Sequence, residues 1–242
     1  MAVFTDKVVT KADYEKMDKE YQDLLVRVLT IQCDCEIGGP NIYVPEGWTG
    51  HRAPSQYDLW KMGQTATEEV DHFRKMNALL NDLGHDATWV VWRPRDERYV
   101  DAFRAGMPTW GDVAVFGFLM DRVGRYQLEE FVDCSYQPLS DALPDIMREE
   151  VGHVNYGTAK LVELARTPEG KEEAQAAIDR WYPLALDSFG QSESARSERY
   201  INWGLKRRTN SEQRQQFIDE VTPLIAKMGL RQPDPEAGRK FR

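Results

Sequence analysis

The stretch "TEEVDHF", residues 67–73, decides how the rest of the chain is read. It sets Glu69 three residues before His72, and eighty-one positions later "REEVGHV", residues 148–154, does the same with Glu150 and His153. The chain has four histidines in 242 residues, and half of them follow a glutamate at this spacing. On an α-helix, residues i and i+3 lie on one face, a turn apart. Each pair is therefore able to bind one metal ion, or its glutamate to bridge two, provided the surrounding sequence is helical.

It is helical nearly throughout. From Lys11 to Ile37 apolar residues recur as Tyr14, Met17, Tyr21, Leu24, Leu25, Val28, Leu29 and Ile31, a three-four spacing. "GGPNIYVPEGW" is expected to end that helix. A second should run from about Pro54 to Leu83, stopped by Gly84, and hold the first E-x-x-H motif. "HDATWVVWRPRDERYV" reads as a loop with a short helix. A third helix should start at Thr109, whose hydroxyl caps "WGDVAVFGFLMDRVGRYQLEEFVDCSY", and break near Pro138. A fourth, Asp141 to Ala165, holds the second motif, with Pro144 tolerated in its first turn. Thr167 as cap and Pro168 at the first helical position begin a helix to about Phe189. Two more are expected, near 192–206 and 211–228, the last ended by Gly229. No internal repeat and no alternating-strand pattern is present. The expected fold is all-α: a four-helix bundle of ferritin-like type with additional C-terminal helices. Residues 1–228 form the helical domain and 229–242 a Pro-rich, charged, mobile tail.

Composition narrows the function. Hydrophobic residues make up 41% and charged residues 29%, as in an ordinary globular chain. A net charge of −9 with no long basic run argues against nucleic acid as a partner. No run of about 18 apolar residues suggests a membrane span, and the first residues lack an apolar signal core. Three cysteines, Cys33, Cys35 and Cys134, show no framework spacing and fit a reducing, cytoplasmic setting as helix-packing residues.

In a ferritin-like bundle the two motif helices supply two Glu-His pairs, and the other two helices supply one carboxylate each. Carboxylates and imidazoles suit iron, with manganese as the alternative. This is not the H-E-x-x-H of zinc proteases, because each helix has one histidine. His51 and His85 lie beside helix breakers and read as surface or capping residues. On the first helix Glu36 is the candidate: it follows the apolar "LLVRVLTIQCDCE", where a carboxylate is costly unless it binds something. Glu20 lies on a more polar segment, and Asp34 points to a different face. On the third helix Asp121, in an apolar run between Gly117 and Gly124, competes with Glu129 and Glu130.

Beyond single motifs, "CEIGG…VPEGWTGHRAPS…EEVDH", "WGDVAVFGFLMD", "REEVGH", "WYPLALDSFG" and "KRRTNSEQRQQFIDEVTPLIAKMGL" together resemble the catalytic A subunit of bacterial phenylacetyl-CoA epoxidases, multicomponent di-iron monooxygenases. The likeness runs from about Tyr14 to Pro235 and implies a shortened relative. It implies six metal ligands at Glu36, Glu69, His72, Asp121, Glu150 and His153, thereby favouring Asp121. It also implies a substrate-binding arginine at Arg27. Where the family has a lysine four residues before the first motif glutamate, this chain has Thr65. Three extra residues fall in "GPNIYVPEG", and Arg125 is an added charge one turn past Asp121.

The resemblance implies an oxygenase subunit with two iron ions that inserts one oxygen atom of dioxygen into an aromatic substrate, carried as a CoA thioester, by epoxidation or hydroxylation. It implies an oligomer, a separate reductase component and a structural partner subunit. Glu68 and Glu149 are candidates for orienting the histidines. The rival readings are a metal-free structural subunit of such a complex and a ferritin-like metal-storage protein.

Overall fold

The computed structural model describes residues 9–43 and 52–241. Among these residues the fold is all-α, as expected. No strand forms, and the one β-type pairing is an isolated bridge between Val9 and Tyr136. In chain order the α-helices are α1 (Lys11–Tyr14), α2 (Lys19–Tyr43), α3 (Gln56–Asp82), α4 (Trp110–Val115), α5 (Asp121–Glu129), α6 (Gln137–Leu164), α7 (Pro168–Asp187), α8 (Ala195–Asn202) and α9 (Asn210–Lys227). Short 3-10 turns at 88–92 and 95–97 occupy the segment expected to be a loop with a short helix, and a third at 101–104 follows it. A π-helical turn, Phe116–Met120, joins α4 to α5 without a break.

The chain divides into two compact units. Unit one comprises residues 1–106, 130–146 and 198–207; unit two comprises 107–129, 147–197 and 208–242.

In unit one α2 packs along α3. Tyr21, Leu24, Leu25, Leu29, Cys33 and Ile37 of α2 are buried, as are Met62, Met76 and Leu80 of α3. The first expected helix is in fact two. Its apolar spacing continues through Met17, but Asp18 accepts the Glu20 amide at 2.8 Å and starts α2 afresh. The Gln22 side chain donates back to the Tyr14 and Met17 carbonyls and holds the corner. At its other end α2 runs through Gly38, Gly39 and Pro40 instead of stopping there. The 3-10 segment covers this end. A β-carbon on Gly38 would lie 2.5 Å from the Phe103 ring, so the glycine is what lets Phe103 seat on α2. Ser55 caps α3 through the Asp58 amide, and Gly84 follows α3 at φ +78°, where glycine has no steric cost.

The third expected helix, drawn through Tyr136, ends instead at Glu129. Long-range bonds within unit one take the following residues out of helical geometry: Glu130 accepts the Arg207 amide at 2.8 Å, Ser135 donates to Gly204 and accepts from Val9, each at 2.7 Å. The Gln137 amide then bonds Val9 at 3.0 Å, and α6 begins there, four residues before its expected start. Pro138 thus sits in the first turn, and Pro144 lies beyond it, inside the helix.

In unit two Thr109 caps α4 as expected, with a full capping box through Asp112. Asp112 is buried and also accepts from Trp181 Nε1 at 3.0 Å and from Arg180, which ties α4 to α7. The Phe116 and Trp181 rings meet edge to face. Thr167 caps α7 with Pro168 behind it. The tail is held down: the Lys240 and Phe241 amides donate to the Asp187 carboxylate at 2.7 and 2.9 Å.

Candidate metal centre

Three of the six predicted ligands belong to unit one. Glu36, Glu69 and His72 each offer a ligand atom, and these lie within 4.8 Å of one another. His72 is fully buried and Glu36 is 3% exposed; Glu69 is half-buried. Nδ1 of His72 lies 3.3 Å from Oε2 of Glu36. Helical periodicity brings Glu69 and His72 onto one face of α3, and the α2–α3 contact sets Glu36 opposite. Two features of α2 mark Glu36 as special. Pro40, four residues on, has no N–H to give the Glu36 carbonyl its helical bond. Gln32, one turn earlier, donates its side-chain amide to Glu36 Oε1 at 2.5 Å. Sequence reasoning misses Gln32; its position four residues before a candidate ligand, within an apolar run, is the available signal.

The other three belong to unit two. Glu150 and His153 lie on one face of α6, 4% and 2% exposed, with Nδ1 of His153 3.9 Å from Oε1 of Glu150. Asp121 begins α5 immediately after the π turn; such turns are frequent at functional sites. Glycines bring these helices close. A β-carbon on Gly117 would lie 2.8 Å from the Gly157 α-carbon and 3.5 Å from Asp121 Oδ2, and one on Gly124 would lie 3.6 Å from Glu150 Oε2. The two glycines that flank Asp121 therefore admit a close backbone crossing at Gly117 and the Glu150 carboxylate at Gly124.

The competing carboxylates have other partners. Asp34 is buried and accepts from Arg98 at 2.9 Å and from the Tyr99 amide at 2.8 Å. Glu129 faces Arg125 at 2.7 Å and Arg208 at 3.5 Å. Glu130 accepts the Arg207 amide. Glu20 accepts from Trp203 and Arg199. Arg125 spans Glu129 and Glu220, the latter at 2.6 Å, so its charge is directed to α9. Arg122 also pairs with Glu220, at 2.8 Å. Glu68, a candidate for orienting a histidine, accepts from Gln64 at 2.8 Å and lines an open groove of about 720 Å³ with Leu59, Trp60, Gly63 and Thr67. Glu149 is half-buried on α6, Arg27 is exposed on α2, Thr65 is buried one turn before Glu69, and His85 is exposed past α3. His51 and "VPEGWTG" lie outside the described residues.

The donor chemistry fits a hard or borderline transition metal. Each unit offers two carboxylates and one imidazole, a set suited to iron or manganese. The cysteines are no alternative: burial pushes the Cys33 and Cys35 thiols far above their usual range, and that of Cys134 up to about 11. They remain protonated and do not offer thiolates.

Residues 9–241 match the family described as phenylacetic acid catabolic protein. The chain belongs to that family. It is 30% identical over 225 residues to the A component of the 1,2-phenylacetyl-CoA epoxidase of Escherichia coli (strain K12), covering 91% of this chain and 72% of that protein. It is 27% identical over 228 residues to benzoyl-CoA oxygenase component B of Aromatoleum evansii, covering 82% of this chain and 48% of that protein, so it spans about half the length of the latter. Both relatives are named as parts of enzymes that oxygenate an aromatic acyl-CoA. Among the described residues no helix is long and apolar enough to cross a membrane.

Proposed function

We propose that this chain is the oxygenase subunit of a di-iron monooxygenase acting on an aromatic acyl-CoA thioester. The observation that carries the reading is the pair of matched ligand sets, Glu36–Glu69–His72 in unit one and Asp121–Glu150–His153 in unit two, each with two carboxylates and one imidazole. In the proposal both sets serve one centre, Arg27 meets the substrate, and the chain works with a reductase component and a structural partner subunit in the cytoplasm.

Two iron ions, when bound, supply dioxygen activation. One oxygen atom enters the ring, as an epoxide or a hydroxyl group, and the other leaves as water. The two electrons come from the reductase and the two protons from solvent. The residues of this chain have the remaining work. Four carboxylates neutralise the charge of the metal pair, and two buried imidazoles complete the donor set. Leu119, Phe118 and Met120 of the π turn are fully or nearly buried beside Asp121 and keep that flank dry, where electrostatic interactions are stronger than in water.

The test is metal content. After anaerobic incubation with ferrous iron and desalting, the protein should carry close to two iron ions per chain, as a dinuclear carboxylate site requires. An iron-loaded protein given reductase, NAD(P)H, dioxygen and phenylacetyl-CoA or benzoyl-CoA should then form an oxygenated product. No bound metal would overturn the reading and favour a structural, non-catalytic role.

A further inference from the structure

Glu36 is the one candidate ligand on α2, and a single carboxylate on a helix can present either oxygen, or both, to a metal. Its two oxygens here have different surroundings. Oε1 accepts the Gln32 side-chain amide at 2.5 Å, a bond between two buried groups four residues apart on the same helical face. Oε2 lies 3.3 Å from His72 Nδ1, on the side of the α3 pair.

We propose that Gln32 is a positioning residue for the metal centre: its amide holds Oε1 of Glu36 and turns Oε2 toward His72 and Glu69 as the single ligand oxygen. This rests on the di-metal reading above and assigns a denticity within it. Three properties of glutamine suit the task. The amide N–H is a donor that does not titrate. It is neutral, so it adds no positive charge that would compete with a cation. With Gln32 only 9% exposed, water does not readily replace it. Partners that orient metal-binding carboxylates through a hydrogen bond typically change metal affinity by about 10- to 100-fold when removed.

The experiment uses cobalt(II), whose visible absorption reports ligand geometry, titrated anaerobically into the full chain. Gln32→Leu removes the donor, and Gln32→Met removes it while keeping an unbranched side chain of similar length and no charge. Gln22→Leu is the control on the same helix, because Gln22 serves the α1–α2 corner. Helix content is followed by circular dichroism, and carboxylate stretching bands by infrared difference between cobalt-loaded and metal-free protein. The expected result is a roughly tenfold or greater loss of cobalt affinity in both Gln32 variants, with a changed visible spectrum and a carboxylate band shifted from one-oxygen toward two-oxygen coordination. Gln22→Leu should match the wild type. If Gln32→Leu fails to fold, Gln32→Met is read alone. Wild-type affinity and spectrum in the folded Gln32 variant overturn the inference while leaving the di-metal reading intact. A wild-type protein that binds no cobalt overturns both.

Discussion

Gly157 of α6 lies so close to Gly117 of the π turn that a β-carbon on Gly157 would stand 2.4 Å from the Gly117 carbonyl carbon. No side chain can yield there, because both surfaces are backbone. The crossing sets the separation of the helices that carry Asp121, Glu150 and His153.

Gly157→Ala must therefore push the two helices apart. Overpacking of this kind costs about 1–3 kcal/mol, and the variant should also take up less metal. Gly124→Ala is the comparison, since its β-carbon would make an ordinary 3.6 Å contact with Glu150. Urea unfolding and iron content of the two variants check this: equal behaviour would show that the glycine crossing does not set the geometry.

His72→Ala and Glu150→Ala should each lose metal with helix content unchanged, as measured by elemental analysis and circular dichroism. Retention of both metals in either variant would remove that residue from the ligand set. Asp121→Ala is the sharper test of the third helix. If it alone keeps its metals, Glu129 or Glu130 must leave its present partner and serve in its place.

Arg98→Ala should be among the most destabilising single changes in unit one. Arg98 and Asp34 are 1% and 0% exposed and lie 2.9 Å apart. Removing that cation leaves the buried carboxylate with only the more distant Arg93 guanidinium, 3.7 Å away, a loss expected toward the lower end of the roughly 3–5 kcal/mol that breaking a buried pair costs. Chemical denaturation would measure it. The double variant Arg98→Met with Asp34→Leu should recover part of the loss, because the closest pair of buried charges is then removed together and Arg93, which also lies over the Tyr99 ring, is the charge that remains.

Acid should loosen α9 from α5 through Glu220. Burial acts to raise its carboxyl, but the Tyr126 hydroxyl and the charges of Arg122 and Arg125 outweigh that and leave it below its ordinary 4.5. A carboxyl depressed in the folded state stabilises the fold above its unfolded value and loses that contribution as pH falls through the lower folded value. The stability gap between wild type and Glu220→Gln should thus be full at pH 7 and shrink on acidification below about pH 4.5. A gap that stays constant with pH would show that the carboxylate's charge is not what holds α9.

The features that can be read in the sequence are local. Thr109 and Thr167 announce helix starts through amides three residues away, and Glu69–His72 and Glu150–His153 share a face by helical period alone. What escapes depends on distant partners. The end of α5 at Glu129 is imposed by Arg207, Gly204 and Val9, none of them near in sequence. The role of Asp34 requires Arg98, sixty-four residues away. Pro40 looks like a break and Pro144 like a first-turn residue because proline removes a helical bond, yet both lie inside helices, where tertiary contacts outweigh that local cost. Gln32 is legible in spacing but not in meaning, since nothing local tells a buried amide from a surface one.

The Asp187 carboxylate ends α7 with a negative charge at the negative end of the helix, and no basic residue stands in its last turn. The amides of Lys240 and Phe241 supply the missing positive ends from more than fifty residues away. A nascent chain cannot engage the Asp187 carboxylate in this way while those residues remain inside the ribosome. Synthesis order thus places this contact, though not α7 itself, after the emergence of α8 and α9, as a late event in the maturation of unit two.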